Sequence, residues 1–176
     1  MKWFPISITG KRIQLRLMLP TFLHRHRLLK FYAQNEQHLS RFWETGSSDN
    51  IKCVLKGSFK LYVKQSYCLY GIYYQSKLIG EFGIDRINSN TIHNGIAIAK
   101  DFTGKGFARE THKLVEDYAR KIDGLKYIKL MTDSENYDSR KSIEGAGYSR
   151  CGLEFIKSNN SNIEKLVIVY MKSLIK

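Results

Sequence analysis

A glycine turn set between a β-strand and an amphipathic helix, with another strand after it, limits the fold of this chain more than any other feature. The segment 91–99, TIHNGIAIA, is rich in β-branched residues, and DFTGKGFARE follows it at 101–110. From 107 to 122 apolar side chains recur at steps of three or four, and YIKLMT at 127–132 is a second short strand. Because a meander of strands precedes this strand–helix–strand unit, we expect a mixed sheet with helices on both faces.

The other periodic segments extend this picture to an α/β, or mixed α+β, fold with six to seven strands, mostly antiparallel. A chain of 176 residues with 43% hydrophobic residues suits one domain, here 1–176. Gln75-Ser76-Lys77 is short enough for a hairpin, and Gly95 inside its strand predicts a bulge or a close backbone approach. The further strands are predicted at 12–19, 68–75, 78–87, 148–156 and 165–174, a polar turn at 158–162, and the helices at 21–34 with Thr21 as cap, at 36–44, from Ser47–Asp49 onward and at 136–147.

The charge balance favours some partners over others. Lys and Arg number 29 and Asp and Glu 16, which gives a net charge of +13, and the first acidic residue is Glu36. A basic amino-terminal part attracts polyanions such as nucleic acid, the ribosome or an acidic protein, but it is equally compatible with an ordinary solvated basic surface. Seven basic residues precede Glu36: Lys2, Lys11, Arg12, Arg16, Arg25, Arg27 and Lys30.

Cysteine usage and the apolar runs bear on compartment and metal content. The three cysteines are scattered, with no Cys-x-x-Cys and no His/Cys cluster, which argues against a disulfide framework and a zinc site. The start of the chain lacks the apolar core of a signal peptide, and no run of 18 apolar residues occurs. We therefore expect a cytoplasmic protein without a membrane-spanning segment and without a metal.

Three phosphate-binding patterns can be compared with the glycine turn. The P-loop pattern fails because Phe107 follows Gly106 where Ser or Thr is required, and the dinucleotide fingerprint fails because Arg109 replaces its third glycine. The pattern Gln/Arg-x-x-Gly-x-Gly/Ala matches residues 103–108 except at Thr103. Amide groups at such a helix start bind a pyrophosphate, although the hexapeptide alone is also compatible with an ordinary glycine turn.

A second motif makes the pattern specific. The segment NYDSRKSIEGAGY follows the next strand and resembles the motif Asn-x-x-Ser-Arg-x-x-x-Glu-x-x-Gly-Phe of the GNAT acetyltransferases, more narrowly of the RimJ/RimL group of ribosomal-protein N-terminal acetyltransferases. GKRIQLR, YYQSKLIGEFGI and LVIVYMKSL resemble the opening strand, the hairpin and the final strand of that group, so the resemblance covers about residues 10–174. The matching positions of the second motif are Asn136, Ser139, Arg140, Glu144, Gly147 and Tyr148.

The resemblance implies acetyl-CoA as donor and a fold in which two parallel strands splay apart beside a bulge. Pantetheine then lies along the open strand edge at Ile96, Ala97 and Ile98, and the thioester lies near Asn136 and Ser139. The pyrophosphate lies on the glycine turn, formed by Thr103, Gly104, Lys105, Gly106, Phe107 and Ala108. A homodimer is a further expectation from the habit of the family.

Several positions depart from the group's pattern. Thr103 replaces a long polar side chain, which predicts weakened rather than abolished CoA binding because the backbone amides remain. Asn94 stands where Glu often precedes the glycine, Arg109 replaces a common Thr, and Gly145 occupies a position usually held by Lys. Together these departures predict altered specificity or a diverged enzyme.

The catalytic assignments rest mainly on the second motif. Many GNAT enzymes use a tyrosine, at the position of Ile143, to protonate the departing thiolate, and its absence makes the Ser139 hydroxyl the nearest substitute. Asn136 is expected to hold the pantetheine amide or an ordered water, although Asn and Ser are also favoured as helix caps. The catalytic set is thus predicted as Ser139, Asn136 and Glu81, where Glu81 is one of four candidates for a general base together with Asp85, Glu154 and His93.

The energetics of the acceptor narrow the substrate. At pH 7, neutralising a terminal α-amine of pKa about 8 costs on the order of 1.4 kcal/mol, whereas a lysine side chain costs about 4.6 kcal/mol. A site without an evident strong base therefore favours a protein or peptide N-terminus. A net charge of +13 disfavours polyamines and aminoglycosides, but a small amine acceptor and a non-catalytic CoA-binding domain both stay open as alternatives.

Overall fold

The structure is a computed structural model that describes residues 3–40, 48–157 and 164–175. This part of the chain contains four α-helices and eight strands. The strands are β1 Ser7–Thr9, β2 Ile13–Leu17, β3 Tyr67–Tyr74, β4 Lys77–Arg86, β5 Thr91–Ile98, β6 Tyr127–Asp133, β7 Ser149–Lys157 and β8 Glu164–Ser173, and the helices are α1 Phe22–Leu39, α2 Ser48–Val63, α3 Phe107–Ala119 and α4 Tyr137–Gly145.

All eight strands form one sheet in the order β1-β2-β3-β4-β5-β6-β8-β7. Every neighbouring pair is antiparallel except β5 and β6, which the α3 crossover joins in parallel. The mixed, mostly antiparallel sheet predicted from the sequence is confirmed. The carboxyl ends of β5 and β6 consequently lie at the same edge of the sheet, and the chain leaves that edge through α3 and α4.

The two faces of the sheet carry different helices. On one, which we call the α3 face, Ile92 and Ile98 of β5 pack with Val115 of α3 and Ile143 of α4 in the main core. On the opposite, α1 face, Ala97 of β5 packs with α1, while α2 packs chiefly on β3. Successive side chains of a strand point to opposite faces, so these contacts fix the face of every other β5 residue.

Helix α1 differs from the two helices predicted over the same stretch. It begins after Thr21, whose hydroxyl accepts a hydrogen bond from the His24 amide at 3.3 Å, so the predicted cap is confirmed. It then continues unbroken to Leu39, because the side-chain amide of the buried Asn35 finds hydrogen-bond partners within the fold. Asn35 donates to the Phe31 carbonyl at 2.8 Å and accepts from the Lys100 amide at 2.9 Å. Residues 41–44 of the predicted second helix lie outside the described residues.

Other boundaries also differ from the sequence prediction. The sheet has one strand more than six to seven, because three-residue β1 is too short to show a period. Helix α3 ends at Ala119 rather than 122, and Gly124, with φ +85°, turns the chain toward β6. The bulge expected at Gly95 is absent, since the β4–β5 register runs unbroken from Gly80–Ile98 to Arg86–Ile92. The polar turn predicted at 158–162 lies outside the described residues.

Candidate active site

The parallel strands β5 and β6 separate before either of them ends. Their pairing runs from Thr91–Tyr127 to Asn94–Leu130 and stops there. Beyond this point β5 continues along β4 to Ile98, and β6 continues along β8 to Asp133. The backbone of residues 95–98 therefore presents an edge toward β6 that β6 does not pair, and a ligand with amide groups can hydrogen-bond to it.

The start of helix α3 is open at the same edge of the sheet. Gly104 and Gly106 adopt φ of +72° and +79°, which side chains rarely tolerate, and the residues of the turn at 103–106 are exposed. A Cβ atom added at Gly104 would meet nothing within 4 Å, and one at Gly106 would meet only Arg12 Nη2, at 3.6 Å. No described side chain plugs this helix mouth, so a phosphate can approach its free amide groups.

Arg12, in the bend immediately before strand β2, holds the glycine turn in place. Its Nε donates to Glu110 Oε2 at 2.6 Å, its backbone amide donates to Glu110 Oε1 at 2.7 Å, and its guanidinium donates to the Lys105 carbonyl at 3.3 Å. The same guanidinium lies 4.5 Å from the centre of the Phe107 ring. Arg12 therefore ties the turn and the first helical turn of α3 to the sheet.

Two lysines converge beside the mouth. Lys77 Nζ and Lys105 Nζ lie 5.1 and 5.5 Å from the centre of the Phe102 ring. Both ammonium groups therefore lie beside Phe102, the residue directly before the turn. Their charge adds to the positive end of the α3 dipole, so the site is suited to a polyanionic group.

Helix α4 brings the second motif to the other side of the splay. Asn136 caps α4, and its side-chain oxygen accepts from the Ser139 amide at 3.1 Å. Among the described residues the Ser139 hydroxyl has no hydrogen-bond partner, and both side chains are half-buried. The capping alternative is thus confirmed for the Asn136 oxygen, whereas the Ser139 hydroxyl stays available for a ligand.

Arg109 and Gly145, both of them departures from the RimJ/RimL pattern, are neighbours in space. Arg109 lies on the first turn of α3 and Gly145 on the last residue of α4. A Cβ atom at position 145 would clash with Arg109 Nη2. The glycine therefore leaves the room that the arginine occupies, and the two substitutions form one packed contact between α3 and α4.

Glu81 lies apart from this cluster. It points to the α1 face of β4, opposite Ala97 on β5, and it is only 3% exposed. The Tyr32 hydroxyl donates to Glu81 Oε1 at 2.6 Å. Of the sequence-predicted residues, the structure therefore brings together the turn, the β5 edge and the α4 pair, and it places Glu81 on the opposite face beneath α1.

His93 occupies the α1 face beside the point where the strands separate. It lies one residue before Asn94, directly opposite Asp85 on β4 and in register with Lys129 on β6. Lys129 Nζ in turn contacts Glu154 Oε1 of β7 at 2.8 Å. Burial lowers the pKa of His93 below its usual value, with Asp85 acting in the opposite direction and Lys129 in the same direction.

Asn94 points to the α3 face instead. Its side chain is 1% exposed and faces the Tyr148 hydroxyl, and neither group has a well-formed hydrogen bond to another described residue. The ring of His112 from α3 packs edge-on against Tyr148, with ring centres 5.8 Å apart. Burial, and secondarily the charge of Lys172, lower the pKa of His112 to about 4, so this buried imidazole is neutral at pH 7.

Two further classes of feature are not found among the described residues. They contain no group of three or more His, Cys, Asp or Glu side chains able to hold a metal ion. No helix in the same part of the chain is long and apolar enough to cross a membrane. The cysteines there are free, with Cys68 buried and Cys53 and Cys151 exposed.

Comparison with protein families identifies the family to which the chain with this site belongs. Residues 12–149 match the family described as Acetyltransferase (GNAT) domain, which is more than three quarters of the chain. The chain belongs to the GNAT acetyltransferase family. The splayed strands, the open α3 mouth and the α4 motif all lie within the matched segment, so the GNAT resemblance predicted from the sequence is confirmed. No curated protein sequence is significantly similar to the chain.

Solved GNAT structures share this fold at low sequence identity. An acetyltransferase from Salmonella typhimurium that modifies the N-terminal serine of ribosomal protein L7/L12 has a TM-score of 0.86 at 14% identity over 95% of this chain and 98% of its own. Mycobacterium smegmatis RimJ, in complex with a CoA disulfide, has 0.84 at 15% over 97% and 88%. The microcin C7 self-immunity acetyltransferase MccE, in complex with acetyl-CoA and AMP, has 0.85 at 15% over 97% of each.

Sequence reasoning missed Arg12 and Lys77 as parts of this GNAT site. Arg12 is 93 residues away from the turn that it braces, and Lys77 reaches the mouth from a hairpin. No local pattern marks either residue, because their roles arise only when β2 and β4 are placed beside α3. His93, one of the four predicted base candidates, carried a weak signal, an ionisable side chain within an apolar strand two residues before a glycine.

Proposed function

We propose that this GNAT protein is an acetyl-CoA-dependent N-acetyltransferase whose acceptor is the α-amine of a protein or peptide N-terminus. The observation that carries the proposal is the unpaired β5 edge leading to an unobstructed helix mouth. The pairing of β5 with β6 stops at Asn94–Leu130, and the exposed turn with Gly104 and Gly106 lies where β5 ends. An extended carrier with amide groups and a diphosphate is complementary to this arrangement.

The residues of the site fit such a carrier. The amides at 104–108 and the ammonium of Lys105 would hold its diphosphate, and the open edge at Ile96, Ala97 and Ile98 would hold its amide-containing arm. Acetyl-CoA supplies an activated acetyl thioester when bound. A carrier lying along this edge points back from the mouth toward Asn94, about 13 Å of strand away, and so brings its thioester to the point where the strands separate.

Two considerations favour a protein N-terminus as acceptor. One of the structurally similar GNAT proteins acts on the N-terminal serine of ribosomal protein L7/L12, which is a precedent for this fold. An α-amine is also easier to neutralise at pH 7 than a lysine side chain, by about 3 kcal/mol. The excess of positive charge supports an acidic protein or the ribosome as partner. The free cysteines support the cytoplasm as the place of action. A homodimer is part of the same proposal.

The cofactor assignment is tested by calorimetric titration of CoA into Gly106→Glu. A carboxylate at this position would face the diphosphate, so we expect binding to be abolished. Gly106→Ala carries the same left-handed strain without the charge and should lose far less affinity. Gly57→Glu, at an exposed position of α2 with open space around it, controls for added negative charge. Unchanged CoA affinity in folded Gly106→Glu contradicts the assignment.

The acceptor is tested by thiol release from acetyl-CoA over a panel of peptides, polyamines and aminoglycosides. We expect turnover with peptides that have a free N-terminus and none with the same peptides after N-terminal blocking. Turnover with polyamines alone would identify a small-amine enzyme. CoA binding without turnover of any acceptor would identify a non-catalytic domain. Mass spectrometry of N-termini in cells with and without the protein then identifies the natural acceptor.

A further inference from the structure

His93 stands at the boundary between the covered and the open half of the α1 face. On one side of it, α1 packs against β4 and α2 against β3. On the other side, β6 and β7 present half-buried and exposed residues on this face, among them Lys129 and Glu154. An acceptor that approaches the separated strands from this open half meets the face that carries His93, the one titratable residue of β5.

Strand register fixes which way His93 points. Ile92 of β5 belongs to the main core on the α3 face, and Ala97 packs against α1. Strand alternation therefore places His93 on the α1 face together with Gly95 and Ala97. The residue after His93 is the last one that pairs with β6, so the imidazole lies beside the apex of the open strand edge.

We propose that His93 is the general base that accepts a proton from the acceptor ammonium in this site. The inference rests on the proposed function and adds the identity of the base to it. Within the described chain, neither ring nitrogen of His93 has a hydrogen-bond partner, although the residue is half-buried. A free imidazole nitrogen beside the reacting position is what a base requires, either in direct contact or through one water molecule.

The proposed step balances as follows. The acceptor R–NH3⁺ gives one proton to His93, and the lone pair of the resulting amine forms a C–N bond to the thioester carbonyl carbon. The C–S bond breaks, its electron pair leaves with sulfur, and the second amine proton passes to the thiolate. His93 then releases its proton to solvent, so the products are R–NH–acetyl, CoA thiol and one H⁺.

Burial and the neighbouring charges act on the protonation state of His93. Burial lowers its pKa, so the imidazole is neutral and able to accept a proton at pH 7. Asp85 on β4 faces it and stabilises the imidazolium once formed, while Lys129 on β6 opposes that charge and is itself paired with Glu154. Glu81, the base predicted from the sequence, fits less well because it lies beneath Tyr32 and already accepts its hydroxyl hydrogen.

The first test compares the pH profile of kcat/KM in the wild type and in His93→Gln. With His93 as base the ammonium form of the substrate reacts, and the wild-type profile reaches its plateau near or below pH 6.5. Without the base only neutral amine reacts, so the variant should keep rising up to the amine pKa of about 8. We expect a loss of about 100-fold at pH 7 that shrinks by roughly ten-fold at pH 9. CoA affinity by calorimetry should not change.

His26→Gln is the matched control, because His26 is exposed on α1 and lies outside the site. It should keep both the wild-type rate and the wild-type profile. If kcat/KM of His93→Gln has the same pH dependence on the acid side of the profile as the wild type, His93 is not the base. That outcome leaves the cofactor assignment standing, since the Gly106 variants test it separately.

The second test leaves His93 in place and reads its pKa by NMR of the ring proton in the protein without CoA. Asp85→Asn removes a charge that raises this pKa, and Lys129→Gln removes one that lowers it. We therefore expect shifts in opposite directions, downward in Asp85→Asn and upward in Lys129→Gln. The acid limb of kcat/KM should move with the NMR pKa in each variant. A limb that stays fixed while the NMR pKa moves overturns the proposal.

Discussion

At the scale of single residues, the departures from the RimJ/RimL pattern prove to be coupled rather than independent. Gly145 weakens the end of a short helix, yet a side chain there would collide with Arg109. Arg109 replaces a smaller residue on α3 and fills the space above the glycine, so a cation from α3 occupies the place of a cation from α4. These two of the departures that together predicted altered specificity therefore form one contact between α3 and α4.

Ser139 offers a test of the chemistry at the leaving group. Its amide is bound by Asn136, but its hydroxyl is free to donate to the departing sulfur. We expect Ser139→Ala to lower kcat by about ten-fold or more while changing CoA affinity by less than two-fold, because the hydroxyl acts on charge that develops during the reaction. Steady-state kinetics and CoA calorimetry measure the two effects. Ser142→Ala, on the same helix, is the control, and equal losses of kcat and affinity would remove Ser139 from the chemistry.

His112 makes the stability of the fold depend on pH. Its folded pKa of about 4 lies below the unfolded value near 6.5, so between these values the unfolded chain binds more protons than the folded one. The contribution is fully present above pH 6.5 and is lost as the pH falls toward 4, by about 3 kcal/mol at most.

This contribution can be isolated by urea unfolding of the wild type and His112→Gln at pH 7 and pH 5. Between the two, the wild type should lose about 2 kcal/mol more stability than the variant. His24→Gln, at a half-buried position outside the core, is a less perturbing comparison and should retain most of the wild-type dependence. Parallel curves for the wild type and His112→Gln would show that the imidazole is not held neutral in the fold.

At the scale of elements, the order and type of the strands and helices could be predicted because their periods are local. The glycine turn, the α3 stripe and the 136–147 helix all appear where the spacing places them. The failures have long-range causes. Helix α1 continues through Asn35 because that side chain bonds to Lys100, which is 65 residues away. The separation of β5 and β6 at Asn94 was expected only from the family resemblance, since it depends on which neighbour each strand end follows.

The Arg12 side chain fixes the glycine turn and helix α3 relative to each other. It connects the chain just before β2 to the glycine turn through Lys105 and to α3 through Glu110. We expect Arg12→Ala to weaken CoA binding by several-fold, because the turn must then be ordered when the ligand binds. Calorimetry of CoA binding is the measurement. Arg16→Ala removes an exposed arginine of β2 that bonds to Gln14 instead, so its CoA affinity should stay that of the wild type.

Further variants of Arg12 distinguish ordering of the glycine turn from a simple effect of positive charge. If the turn is already rigid without the arginine, Arg12→Ala will bind CoA with unchanged affinity. If the arginine acts only through its charge on the phosphates, Arg12→Lys will restore binding. Restoration by neither Lys nor Gln is the result expected for a bidentate brace, because only guanidinium bonds to Glu110 and the Lys105 carbonyl together.

At the scale of the whole molecule, the net charge of +13 and the local charges of the site act on different parts of the reaction. In the proposed reaction the long-range field selects the acceptors that arrive, and the row formed by Asp85, His93, Lys129 and Glu154 is proposed to act on the bound amine. The basic residues early in the chain are partly engaged inside the fold. Arg16 and Arg27 lie over the Tyr73 ring, and Arg12 pairs with Glu110.

The field of the whole protein can be tested through the salt dependence of peptide acetylation. An acidic peptide with a free N-terminus is attracted by the net positive charge, and dissolved salt screens this attraction beyond about 8–10 Å at 0.1–0.15 M. We expect kcat/KM for the acidic peptide to fall roughly several-fold between 20 and 300 mM NaCl, because added salt shortens the distance over which the attraction acts. A basic peptide of the same length should gain or stay level. Because the attraction acts on the encounter of peptide and protein, the effect should appear in KM with kcat unchanged. Equal salt sensitivity of both peptides would instead indicate that the local row of charged residues selects the acceptor.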